Sequence, residues 1–326
     1  MSIFQPRKNY KPFEYPQVLQ FTEAMQKGFW VHSEVDFTAD VQDFHSQLEP
    51  FEQNAVKNAL LAIAQIEVSV KTFWGNLYNL FPKPELNGLG ATFAECEFRH
   101  SEAYSRLLEV LGFNNEFEKV LEVPAIAKRI AQLNLARTDY PNLTEEQAKT
   151  VNLLMFAVLV ENVSLFSQFA SVLYLTRHKG LMKNIANIIA WTSVDEGLHG
   201  QAGLALINII KDEHPEIFTE ELKAEIANKI RESIEIEAEI NAWIFEQGDF
   251  EKSTQADLLA YMKRRVNDSM EVIGFDKPFS ADEIALAKNL KWFEEEVYAN
   301  SLTDFFASRP VDYSKYDKSI TANDLF

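Results

Sequence analysis

Two stretches of this chain place a glutamate three residues ahead of a histidine: Glu97 and His100 in "ECEFRHSEAY", and Glu196 and His199 in "DEGLH". On a helix that spacing sets carboxylate and imidazole on one face, and Tyr104, four residues past His100, extends the first stripe. In so Glu-rich a chain two such pairs alone would arise by chance. What constrains the fold is the segment ahead of each pair. "LLAIAQIEVSV" holds Glu67 thirty residues before Glu97, and "LLMFAVLVENVSLFSQFASVLYL" holds Glu161 thirty-five residues before Glu196. Each is one misplaced carboxylate in an apolar helical run, and the two halves repeat the same order. A Glu from each of two helices plus Glu-x-x-His from each of two others is the donor set of a dinuclear carboxylate-bridged metal site in a four-helix bundle. Four carboxylates bring −4 and two divalent cations +4, so a cluster otherwise too costly to bury becomes neutral. Oxygen-rich donors with two imidazoles suit iron or manganese more than zinc. The plainer alternative makes Glu67 and Glu161 satisfied core acids and both histidines helix-surface residues.

The rest of the chain agrees with an all-α fold. Apolar residues recur at helical spacing almost throughout, and alternating runs bounded by turn residues are hard to find. The spacing predicts helices over Pro50–Leu80, Gly90–Leu111, Thr144–His178, Leu181–Asp212, Thr219–Glu246, Thr254–Ile273 and Ser280–Asn300. "TEEQ" at Thr144 and "SADE" at Ser280 read as capping boxes, while "FPKPELNGLG" and "HPEIF" supply breaks. One helical domain over residues 1–306, with its N-terminal arm, is expected, followed by a flexible tail over 307–326 where helical periodicity is lost.

Composition narrows the function classes. A formal charge of −18 disfavours nucleic acid and anionic membrane surfaces as partners. Cys96 is the single cysteine, which rules out an internal disulfide and fits a reducing, cytoplasmic setting. The first sixteen residues have no continuous apolar stretch, so neither a signal peptide nor an anchor is visible. Residues 153–175 are long enough to cross a bilayer. Glu161 interrupts them, however, and a mid-bilayer carboxylate costs roughly 3 kcal/mol, so a helix buried in protein is expected.

With this pattern in place, the chain resembles the small, radical-generating β subunit of class I ribonucleotide reductase, from about Phe29 to the C-terminus. The resemblance implies a ferritin-like bundle whose two metals are held by Glu67, Glu97, His100, Glu161, Glu196 and His199. It puts Tyr104 where the family has its radical-bearing tyrosine, and Leu165 and Phe169 could give that ring dry walls. In "GFWVHSEVDF", Trp30 falls at the family's pathway tryptophan, which implies a hydrogen-bonded chain of His100, Asp195 and Trp30. "TDFFASRPVDY" makes Tyr313 the relay candidate in the tail, with Tyr316 close by, and the terminal "ANDLF" suits docking to a large (α) subunit. A homodimer is expected as well.

Lys71 departs from the commoner pattern. Four residues after Glu67, it is expected to face the metals and to donate to a ligand carboxylate or a metal-bound oxygen. It resembles a subgroup with a dimanganese centre activated by superoxide, whose oxidising equivalent stays on the metals and leaves Tyr104 a bystander. Two manganese ions are therefore favoured, with iron or a mixed pair as alternatives. The implied activity is ribonucleoside-diphosphate reduction together with the large subunit, in which this chain stores a one-electron oxidant and delivers it to a partner cysteine. The runner-up is a stand-alone ferritin-like di-metal oxidase, which would need neither Trp30 nor Tyr313. A third reading is a metal-storage or structural helical protein, which would need no partner.

Overall fold

The structure, a computed structural model, describes residues 2–135, 140 and 142–297. Its longer helices are α1 (Leu19–Lys27), α2 (Thr38–Gln47), α3 (Pro50–Gly75), α4 (Pro84–Leu111), α5 (Pro124–Leu135), α6 (Glu145–Lys179), α7 (Lys183–Glu213), α8 (Glu220–Ile244) and α9 (Gln255–Val272). No strand occurs among the described residues beyond an isolated bridge between Phe250 and Ser253.

Local chemistry explains the helix ends. Pro50 opens α3 behind a reciprocal box between Glu49 and Glu52, and Thr144 and Gln147 form the expected box ahead of α6. Such caps contribute about 1 kcal/mol each. Helix α4 begins six residues earlier than the predicted Gly90, because Pro84 suits the first helical position, where its missing N–H leaves nothing unsatisfied. It closes on Gly112 in the left-handed region (φ 82°). Helix α3 stops at Gly75 instead of Leu80, and a separate turn over Leu77–Leu80 follows.

The helix expected over Ser280–Asn300 is not continuous. Ser280 and Glu283 do form their box, but Ala285–Leu290 is a 3₁₀ helix. Its apolar positions explain this: half-buried Ile284 and buried Ala287, Leu290 and Phe293 are spaced by three, which lines one face of a three-residue turn. The domain boundary expected at residue 306 lies outside the described residues.

At the centre, α3 packs on α4 and α6 on α7, and the two pairs join through contacts between α3 and α6 and between α4 and α7. Helix α8 covers α3, α5 and α6, α9 lies along α6, and α1 crosses α4 and α7. Helix α6 contains an 18-residue stretch apolar enough to span a membrane (mean hydropathy 1.6), but 94% of that stretch is buried inside the bundle, as expected of a core helix. Helix α4 runs close against the end of α3, where a Cβ on Gly90 would come within 2.5 Å of the Trp74 carbonyl oxygen. Only glycine fits there, and this approach fixes the end of α3 that carries Trp74.

Candidate metal centre

Each central helix delivers its acid to the same buried volume. Glu67 from α3, Glu97 and His100 from α4, Glu161 from α6, and Glu196 and His199 from α7 are all 0% exposed. Donor atoms of Glu67, Glu97, His100 and Glu196 lie within 4.8 Å of one another, and so do those of Glu97, Glu161, Glu196 and His199. The two groups share Glu97 and Glu196. Each therefore has one imidazole and one carboxylate of its own, with two carboxylates placed between them.

The histidines lie between the shared acids. His100 Nδ1 is 3.1 Å from Glu196 Oε1 and 3.4 Å from Glu97 Oε2. His199 Nδ1 is 2.8 Å from Glu97 Oε1 and 2.9 Å from Glu196 Oε2. Several of these approaches lack hydrogen-bond alignment: both oxygens of Glu67 and Glu97, Glu196 Oε1 and His100 Nδ1 are buried without an aligned partner. Buried polar atoms are seldom left so, and six convergent ones from three helices fit a pair of divalent cations with oxygen-rich coordination.

The electrostatics agree. Burial, reinforced by Glu97, pushes the Glu67 and Glu161 carboxyls well above the usual carboxylate range. Burial opposes charge on both imidazoles too, yet Cys96 and Glu196 beside His100, and Glu97 beside His199, hold them well above the ordinary value. Against burial and Glu196, the contacts with His199 and His100 hold Glu97 low. Against burial, a hydrogen bond with Glu161 and the charge of His100 hold Glu196 low. Without a cation, raised Glu67, Glu161, His100 and His199 beside lowered Glu97 and Glu196 shift the cluster toward neutrality.

Around the cluster, Trp30 Nε1 donates to Asp195 Oδ2 at 2.9 Å, and His100 Nε2 lies 3.2 Å from the same oxygen. Trp30, Asp195 and His100 thus form one continuous chain, with the Trp30 ring stacked 5.6 Å from His100. Sequence reasoning missed three neighbours. Cys96 Sγ is the third group at Asp195 Oδ2 (3.4 Å), Arg99 Nη1 donates to the Trp30 carbonyl (2.9 Å), and Trp74 Nε1 donates to Glu161 Oε1 (2.6 Å). Cys96 and Arg99 adjoin the motif and had a signal in their proximity to His100. Trp74, seven residues after Glu67 and so on its face of α3, had one in its spacing.

One expectation changes. Lys71 Nζ bonds to Ser101 Oγ at 3.2 Å and lies 5.6 Å above the Phe98 ring, so it does not reach a ligand carboxylate. A residue four positions on is rotated about 40° from Glu67, and here the long side chain, which is only partly buried, runs to Ser101 and Phe98 on α4. Tyr104 is buried near Glu67 and Thr192, but its hydroxyl has no aligned hydrogen-bond partner. Burial first, then Glu67, raises its phenol well above the ordinary value. Leu165 and Phe169 are fully buried, and Tyr313 and Tyr316 lie outside the described residues.

Comparison with known proteins follows this geometry. The family model described as "Ribonucleotide reductase, small chain" matches residues 7–286. A probable ribonucleoside-diphosphate reductase small subunit of Invertebrate iridescent virus 3 is 26% identical, over 97% of this chain and 86% of its own. The ribonucleoside-diphosphate reductase subunit beta of Treponema pallidum is 22% identical, over 94% and 88%. Among solved structures, the ribonucleotide reductase R2 subunit from Clostridium botulinum superimposes with a TM-score of 0.76 at 19% identity, covering 89% of this chain and 91% of that one. The dimanganese(II)-NrdF of Streptococcus sanguinis does so with 0.73 at 17% identity, covering 88% and 99%. These similarities favour a reductase subunit over a stand-alone oxidase, and the fold is the ferritin-like helical bundle of those structures. The chain belongs to the ribonucleotide reductase small-chain family and is the β subunit of a class I ribonucleoside-diphosphate reductase, which works together with a large subunit.

Proposed function

We propose that Glu67, Glu97, His100, Glu161, Glu196 and His199 hold two divalent cations, Glu97 and Glu196 serving both, and that the oxidant kept at this site is passed out through His100, Asp195 and Trp30. The observation that carries the ligand assignment is the pair of four-residue donor groups sharing two carboxylates. Manganese is favoured over iron or a mixed pair. The donor set suits it, and the Streptococcus sanguinis neighbour is a dimanganese(II) protein. When bound, such a pair supplies one-electron redox chemistry.

The chain's own residues do the rest. Asp195 takes the indole proton of Trp30 in a hydrogen bond and fixes the His100 ring through the same oxygen, which sets tautomer and orientation at the ligand nitrogen. Arg99 holds the Trp30 backbone, so ring and carboxylate keep their distance. The aromatic walls of Trp74 and Phe93 against His199 exclude water. Oxidation of Tyr104 would require its proton to leave, and no acceptor is aligned with the hydroxyl. That favours a site in which Tyr104 is wall and not store. Residues 307–326 dock on the large subunit with Tyr313 as relay, and the working small subunit is a homodimer. A cytoplasmic setting accords with a single, buried cysteine.

The deciding experiment is metal analysis with electron paramagnetic resonance on protein from its native host. Two manganese per chain, no tyrosyl signal and nucleotide reduction only with the large subunit are expected. A tyrosyl signal with two iron ions would overturn the metal and the storage site together.

A further inference from the structure

Helix α6 bears a ligand on a backbone that leaves the α register. Leu154–Ser164 turns with π geometry, and Glu161 lies inside that stretch. One inserted residue rotates everything beyond it by about 100° relative to everything before, so the register decides which side chain of α6 faces the cluster. Long π stretches are rare and need support from outside the helix.

That support comes from two sides. On α7, a Cβ on Gly203 would sit 2.1 Å from Ala157 Cβ and one on Gly200 2.7 Å from Asn162 Cβ, so the widened turns rest in a notch that only glycine leaves open. On α9, Arg265 Nε donates to the main-chain carbonyl of Asn162 and Nη2 to its Oδ1 at 2.6 Å. Asn162 Nδ2 in turn donates to Ser269 Oγ at 2.9 Å. The guanidinium is itself fixed, 3.5 Å above the centroid of Phe166. The residue next to Glu161 is therefore tied, through backbone and side chain, to a helix that contributes no donor to the cluster.

We propose that Arg265, with Asn162 and the Gly200–Gly203 notch, is a positioning device that locks the π register of α6 and aims Glu161 at the cluster. The cation position served by Glu161 and His199 then depends on α9, whereas the position served by Glu67 and His100 does not. This rests on the ligand assignment above. Arg265 touches no donor atom and acts only through Glu161. A planar guanidinium fork suits the task because it spans the carbonyl and the amide oxygen together, which a lysine ammonium does not.

The test is a Mn(II) titration of the metal-free full-length chain, following unbound Mn(II) by electron paramagnetic resonance, with hydrogen exchange of residues 154–164 on the same samples. The parent binds two equivalents and E161A about one. In R265M one equivalent weakens at least about tenfold, the scale of lost support around ligands, while the other is unchanged and exchange in 154–164 accelerates. R265K recovers part of the loss. N162A, which keeps the main-chain carbonyl, weakens the same equivalent by less and serves if R265M does not fold. Two parent-like equivalents in R265M, or equal weakening of both, with E161A reduced to one, would overturn the clamp alone. Two undiminished equivalents in E161A would overturn the ligand assignment and the clamp with it.

Discussion

Glu196, like Glu97, is a side chain on which both halves of the cluster depend, since one of its oxygens faces His100 and the other His199. E196A should abolish binding of two metals while the far-ultraviolet circular dichroism stays helical, because one shared ligand is lost with little core volume; two metals per chain in E196A would refute the site. Protonation gives a second check. Glu67, Glu161, His100 and His199 bind their protons more tightly folded than unfolded. Their stabilisation is complete below the ordinary values, 4.5 for Glu and 6.5 for His, and is lost as pH rises toward the folded values. Glu97 and Glu196 act oppositely, stabilising above 4.5 and losing that contribution as pH falls. Metal-free protein should therefore melt at lower temperature as pH rises above the ordinary histidine value of 6.5. Two divalent cations must displace all four protons, so the melting increment from Mn(II) should grow over the same range. An increment independent of pH in scanning fluorimetry would contradict these proton positions. Y104F should keep substantial activity if the oxidant stays on the metals, and complete loss together with a tyrosyl signal in the parent would restore the tyrosyl mechanism.

At the scale of elements, the notch on α7 offers its own prediction. G203A adds one methyl directly against Ala157 of the π segment. Overpacking of this kind costs about 1–3 kcal/mol, so the metal-free protein should melt several degrees lower; an unchanged melting temperature would mean that α6 and α7 are not locked there. The same region shows where sequence reading ends. Helix starts such as Pro50 and Thr144, and the stripe from Glu97 to Tyr104, were legible because caps and periodicity are local signals. The six donors were legible for the same reason, each lying at a helical spacing or alone in an apolar run. The π segment was not, since its supports, Gly203 and Arg265, lie on α7 and α9 and leave no mark on the sequence of α6. Lys71 was misread because spacing fixes the direction of a Cα–Cβ bond but not the course of a four-carbon side chain, which here ran to Ser101. The 3₁₀ stretch over Ala285–Leu290 was misread as α because its three-residue spacing was taken for part of a longer helical stripe.

For the whole molecule, the described bundle contains the candidate metal site and, on the proposed route, an outlet at Trp30, while the chain's single cysteine, Cys96, is buried beside His100. On the proposed route the electron hole leaves the chain through the tail, which lies outside the described residues. Its sequence lacks the apolar periodicity of a core element, so removing its end should spare the bundle. A chain truncated after Asp317 should load two metals and melt like the parent, yet lose nucleotide reduction because the "ANDLF" segment proposed to dock on the large subunit is gone. Tyr313→Phe should keep docking and still fail, because a phenyl ring offers no comparable proton-coupled oxidation. Assays need the large subunit in excess, so that weakened docking is not mistaken for a broken relay, and binding should be measured separately by competition with a peptide of the tail. If Y313F is active while Y316F is not, the relay moves three residues on and the pathway stands. If both single variants and the truncated chain reduce nucleotides at the parent rate, the tail carries neither docking nor electrons, and Trp30 must hand its oxidant directly to a surface on the large subunit.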